Sequence, residues 1–181
     1  MAADGRLVGT LLGLILSVSI THAEDVTQDT VVRSVLAAVQ AFRTIYTQQV
    51  IARLEPVGIV AREHWSQDDH AIMLPFQFVK MAAIEMKPMA RDVEVGLVSL
   101  PPLYTANFPK TEAEVTALKK LMADPSLKVV TFSDGKEFKG LAADFAIDHS
   151  CTDCHNHHPN SHKHDYKKGD LMGAVVVRFR S

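Results

Sequence analysis

An α+β fold built on an antiparallel sheet is what this chain of 181 residues predicts. Three patterns carry that prediction. Apolar residues recur at helical spacing from Val31 to Val50. A hairpin signal, Leu127 to Phe132 and Glu137 to Phe145 around Ser133-Asp134-Gly135-Lys136, comes late in the chain. A run with a β-branched centre, Leu171 to Phe179, closes it. Strands that cluster after helices, rather than alternating with them, argue for a segregated antiparallel sheet with flanking helices.

The elements follow in order. Leu7 to Ile20 is a nearly unbroken apolar stretch, and Thr21-His22-Ala23 resembles a small-residue cleavage site. Such a stretch is short for a bilayer span, which needs about 20 apolar residues, so residues 1–23 are expected to be a signal peptide. Asp4 offsets Arg6 in the leading region, which keeps an uncleaved anchor as the alternative. The mature chain, 24–181, is expected to be one exported domain located in the periplasm. From Val26 to about Leu54 the stripe of Val31, Val35, Leu36, Val39, Phe42, Ile45, Tyr46 and Val50 predicts a long helix ended by Pro56-Val57-Gly58. A helix that long covers a sheet face, meets a partner, or forms a homodimer.

Within Ile59 to Met73, which has no clear period, the polar stretch Ser66 to His70 reads as a loop. Pro75 suits the first turn of a second helix running over Phe76 to Met89. Val93 to Leu100 predicts a strand, and Pro101-Pro102 to Lys110 a connection. Thr111-Glu112-Ala113-Glu114 is a capping box opening a short helix to Ala123, stopped by Asp124-Pro125. After the hairpin, Asp148 to Asp170 reads as a polar loop leading into the last strand.

Composition excludes some classes. The chain is 47% hydrophobic and 22% charged with a net charge of −2, so nothing suggests a nucleic-acid partner. No internal repeat is visible.

The chemistry lies in Cys151-Thr152-Asp153-Cys154-His155, which holds both cysteines of the chain. Two thiols three residues apart can add to the two vinyl groups of one haem, and the adjoining imidazole can then bind the iron. Two other readings compete. A redox Cys-x-x-Cys usually sits early in its domain, between strand and helix. A zinc site would recruit a spaced pair from His157, His158 and His162. Covalent haem c is favoured over both, and export agrees with it.

Cys151 and Cys154 are then the attachment residues and His155 the proximal iron ligand. With no third cysteine, thiolate cannot fill the sixth position. Imidazole and thioether candidates are His64, His70, Met73, Met81, Met86 and Met89, or the site is open to a small gas. His157, His158, His162 and His164 form a polar loop in which His157 or His158 could meet a propionate. Lys163, Lys167 and Lys168 are propionate partners by charge.

The continuation of the motif carries a family resemblance. Cys154-His155-Asn156-His157-His158-Pro159, then Asp165-Tyr166, Gly169-Asp170 and Gly173 before the last strand, resembles the c-type haem sensor family with a PAS-like fold. Ile72-Met73-Leu74-Pro75-Phe76-Gln77-Phe78-Val79 and the long first helix are similar too. The family's Arg-Asn-Pro-rich loop appears only as Leu103 to Pro109. The resemblance implies a PAS-like sheet cradling one covalent haem, with His64 and His70 near the pocket wall. It also implies a redox or gas sensor that passes its signal to a partner protein. A periplasmic electron-transfer cytochrome c with a redox partner is the alternative. No acid–base constellation can be placed from spacing, so an enzyme is the weakest reading.

Overall fold

The computed structural model describes residues 28–180, so the expected signal peptide, residues 1–23, lies outside the described residues. The long helix α1 is regular over residues 28–45. It widens into a π turn at Tyr46–Ile51, continues through Ala52–Leu54 and closes in a single 3-10 turn at Glu55–Val57. Gly58 stops it at φ 86°, a left-handed geometry that glycine adopts without steric cost. The π turn has a local cause. Thr44 Oγ1 and Thr47 Oγ1 donate to the carbonyls of Gln40 and Arg43 four residues back, and these bonds compete with the helix ladder.

The fold class is α+β, as the sequence predicts. A four-stranded antiparallel sheet runs in the order β3-β6-β5-β4, from β3 (Val93–Val98), β4 (Val129–Asp134), β5 (Glu137–Phe145) and β6 (Leu171–Arg180). The hairpin turns at Gly135, whose φ is 63°. β6 lies between β3 and β5 and is covered on both faces, which is why it reads as an unbroken apolar run rather than an alternation. Its Val175 and Val177 pack with Val32 and Leu36 of α1. Its Ala174 and Val176 pack with Leu118 and Leu121 of α3 (Glu112–Ala123) on the opposite face.

Helix α1 presses closely on the sheet at Gly140. A methyl group there would stand 2.5 Å from Val32 Cγ1 and 2.9 Å from Leu36 Cδ1. The outer surface of α1 leaves Phe42 and Ile45 60% and 56% exposed.

Under α3 a charged network is buried. Glu114, fully enclosed, accepts from Lys139 Nζ at 3.0 Å, from Arg178 Nε and Nη2 at 2.6 and 2.8 Å, and from the Lys110 amide at 2.8 Å. Burial alone would raise its carboxyl, but these donors hold it down at about 2. Thr111 caps α3 by accepting from the Glu114 amide. The reciprocal bond of the expected capping box is displaced: the Glu114 carboxylate takes the Lys110 amide instead of the Thr111 amide.

Two segments differ from the sequence reading. Residues 59–73, of which only Ser66 to His70 are expected as a loop, also contain a parallel pair of three-residue strands, β1 (Val60–Arg62) and β2 (Ala71–Met73), around a 3-10 turn at Trp65–Gln67. Strands so short show no readable alternation. The polar stretch after β5 holds a helix, α4 (His149–His157). Asp148 initiates it as N-cap, accepting from the Ser150 amide at 3.0 Å. The second helix, α2, spans Pro75–Met86 with Pro75 at its start, as expected, and ends three residues early. Among the described residues no helix is long and apolar enough to cross a membrane.

Candidate functional site

Helical geometry organises the Cys-x-x-Cys-His motif. On α4, residues at i, i+3 and i+4 share one face, so Cys151, Cys154 and His155 point to the same side. That side opens on a cavity of about 490 Å3, within the range of small-molecule and cofactor pockets. Arg43 of α1 contributes to the wall, as do Leu74 to Gln77 at the start of α2. Leu97 to Ser99, Asp144 and Met172 to Ala174 add the end of the sheet. Pro101 to Tyr104 and Ser161 to Lys163 complete it. A register shift between Asp144 and Phe145 falls at this edge. There Gly173 approaches β3 so tightly that a methyl group would stand 2.7 Å from the Val98 carbonyl oxygen.

Burial, with the nearby His158 and Arg43 adding to it, lowers His155 to about 4. The imidazole is therefore neutral at pH 7, the form that binds a metal. Tyr166 packs edge-on against it at 5.5 Å. Asn156 fixes Tyr166 in turn, since its Nδ2 donates to the Tyr166 carbonyl at 3.0 Å and its Oδ1 accepts from the Tyr166 amide at 2.8 Å. Burial pushes the Cys154 thiol up, helped by Glu63 and Cys151. A redox-active dithiol needs the reverse shift. Among the described residues no three His, Cys, Asp or Glu side chains converge as a metal-ligand set, so the geometry does not assemble the zinc alternative. Two thiols and a neutral imidazole on one face, opening on a largely apolar cavity, form a donor set that could hold a covalently attached haem.

The rim is fastened by polar contacts. Tyr104 Oη lies 3.2 Å from His158 Nε2, which is 3.7 Å from Glu63 Oε2. Burial and Glu63 raise the Tyr104 hydroxyl. His158 thus ties the Leu103–Pro109 connection to α4. His157 is exposed and bonds the Asp153 carbonyl. Lys163 is engaged by Asp170 at 2.7 Å.

The structure brings Cys151, Cys154 and His155 together on the cavity wall. His64, His70 and Met73 are not among the lining residues. His64 and His70 are exposed, and Met73 is half-buried in β2 with its carbonyl accepting from Tyr46 Oη. Met81, Met86 and Met89 on and after α2 do not line the cavity either. The thioether and imidazole that do, besides His155, are Met172 and His162. Met172 sits in the apolar run of β6, where nothing in the sequence distinguishes it from core. Arg43 was legible in principle, because it continues the buried stripe of Val32, Leu36, Thr47 and Ile51 along α1.

No curated protein matches the chain. A crystal structure of the cyanobacterial haem protein Tll0287 has a similar fold, with a TM-score of 0.57 and 18% identity over 81% of this chain and 92% of that one. The Tll0287-like family model matches residues 22–180, in agreement with the resemblance drawn from the Cys154 to Gly173 block. The chain belongs to the Tll0287-like family.

Proposed function

We propose that this protein is an exported haem-binding domain. In this reading one haem c would be attached through Cys151 and Cys154, with His155 as an iron ligand, and the domain would respond to a ligand or redox change at the iron. The observation that carries the reading is the convergence of both cysteines and the neutral His155 on one cavity. The solved fold relative, itself a haem protein, supports it. Bound there, haem would supply the redox and ligand-binding chemistry; the chain's own residues attach it, orient it and exclude water. Asn156 and Tyr166 set the plane of the His155 ring, and Pro75, Phe76, Leu97 and Val98 furnish apolar walls.

Sensing is favoured over electron transfer by the polar groups that the cavity leaves free of hydrogen bonds, Asp144 Oδ1 and Ser150 Oγ. The electron-transfer reading rests on Met172, a thioether on the same wall. Export fits the apolar stretch Leu7 to Ile20, and a separate partner protein would receive the signal.

Absorption spectra of the purified protein, oxidised and reduced, with and without carbon monoxide, test the proposal. A high-spin iron that binds carbon monoxide supports sensing. A low-spin iron indifferent to it, converted to high spin by Met172→Leu, favours electron transfer. No haem surviving denaturing electrophoresis would end the covalent reading.

A further inference from the structure

Arg43 is 5% exposed and carries five N–H donors, yet among the described residues it makes one hydrogen bond, from Nη2 to the Phe145 carbonyl at 3.1 Å. Its Nη1 lies 3.1 Å from Asp144 Oδ1, but the two are misaligned, and Oδ1 remains without a hydrogen bond. Ser150 Oγ, on the same cavity, also lacks a partner. Buried donors and acceptors are ordinarily satisfied, because leaving them bare carries the full desolvation penalty. A guanidinium with open donors on a cavity wall is therefore a binding feature in want of a ligand atom.

The charge balance says which kind of atom. A haem propionate beside Arg43 would also lie beside the Asp144 carboxyl, which burial already pushes up, and would put a second acid into a buried site. The exposed Lys80, whose ammonium stands 4.4 Å over the Phe76 ring, is the better propionate partner, because its charged head keeps contact with water. A small ligand of the iron faces no such penalty. An anion bound to ferric iron is neutralised by the metal and can accept a charge-assisted hydrogen bond from Arg43.

On the haem reading above, we propose that Arg43, positioned by Asp144, is the hydrogen-bond donor to a small anionic or oxygen-containing ligand of the iron. The cavity then selects polar or anionic ligands over carbon monoxide, which accepts hydrogen bonds weakly. Asp144 is a positioning residue, since its carboxyl stands 3.1 Å from Nη1 and holds the guanidinium beside the cavity by charge rather than by an aligned hydrogen bond.

The test uses the full chain with its attached haem, azide as the ferric probe and carbon monoxide as the ferrous one. Covalent haem content is measured first; a chain that carries none overturns the haem reading and this proposal together. With haem present, Arg43→Gln should weaken azide binding about 10- to 100-fold. It should change carbon monoxide affinity by less than about threefold and raise the C–O stretching frequency. Arg43→Lys should recover part of the azide affinity, and Asp144→Asn should give an intermediate loss. Unchanged azide affinity in Arg43→Gln overturns the proposal while leaving the haem reading intact. So does a wild-type iron that binds neither probe. A variant that loses haem, or loses both ligands equally, also overturns it, by making Arg43 a haem anchor.

Discussion

The two faces of the sheet both bury an arginine and a carboxylate, and they treat them oppositely. Under α3, Arg178 and Glu114 meet through two aligned bonds, and Lys139, Asp134, Glu137 and the Lys110 amide close the network. Under α1, Arg43 and Asp144 touch at 3.1 Å without alignment and face a cavity. The saturated network needs nothing more and holds the architecture. The unsaturated pair borders an open cavity. Satisfaction of buried charge, more than burial itself, separates the structural face from the binding one.

The largest expected effect breaks the binding face alone. Replacing Cys151 and Cys154 together by alanine should abolish haem staining on denaturing gels while the sheet stays folded by circular dichroism. Residual covalent stain would refute the attachment.

The next effect belongs to the structural face. Glu114→Ala removes the enclosed centre of the network, leaving Lys139 to Asp134 and Glu137 and Arg178 to Glu94, and should cost about 3–5 kcal/mol in chemical denaturation. A loss below about 1 kcal/mol would mean that the network is ornamental. The same carboxyl gives a pH dependence. Its folded value of about 2 lies below the ordinary 4.5, so its contribution is fully present above pH 4.5. It fades as pH falls through 2. Glu114→Gln should flatten the stability profile across that window. An unchanged acid profile would assign acid unfolding to other groups.

Gly140→Ala sharpens the comparison from the α1 side. Its new methyl meets Val32 and Leu36 and should lower stability by about 1–3 kcal/mol through overpacking. A neutral outcome would show that α1 can lift from the sheet. The smallest effect is expected at the cavity. Asp144→Asn should change the stability of the haem-free protein by less than about 1 kcal/mol, far below the Glu114 variant, because the carboxylate it removes is poorly bonded. A loss as large as that of Glu114→Ala would erase the distinction between the faces.

Legibility tracked how local each cause is. The α1 stripe, the hairpin at Gly135, the Pro75 start of α2 and the Thr111 cap are set by neighbours in sequence and were readable there. The β1–β2 pair was not, since each strand has three residues and is defined by its partner across a turn. Helix α4 reads as a loop in sequence because its histidines and asparagine mask a helix that Asp148 caps. The expected sixth-ligand candidates came from residue type and position near Pro75. Their absence from the cavity wall reflects side-chain direction, which residue type does not encode.

The donor pattern is written in the chain itself: cysteines three apart with a histidine beside them require only local spacing, and α4 turns that spacing into one face. The cavity, the lowered His155 and the Arg43–Asp144 pair are long-range facts. They bring α1 and the far end of β5, about a hundred residues apart, to one wall, and only packing on both faces of β6 brings them there. Spacing determines which groups share a face. Tertiary burial determines their charge state and what the other side of the site can hold, because desolvation and unmet hydrogen bonds exist only once the chain has closed around them.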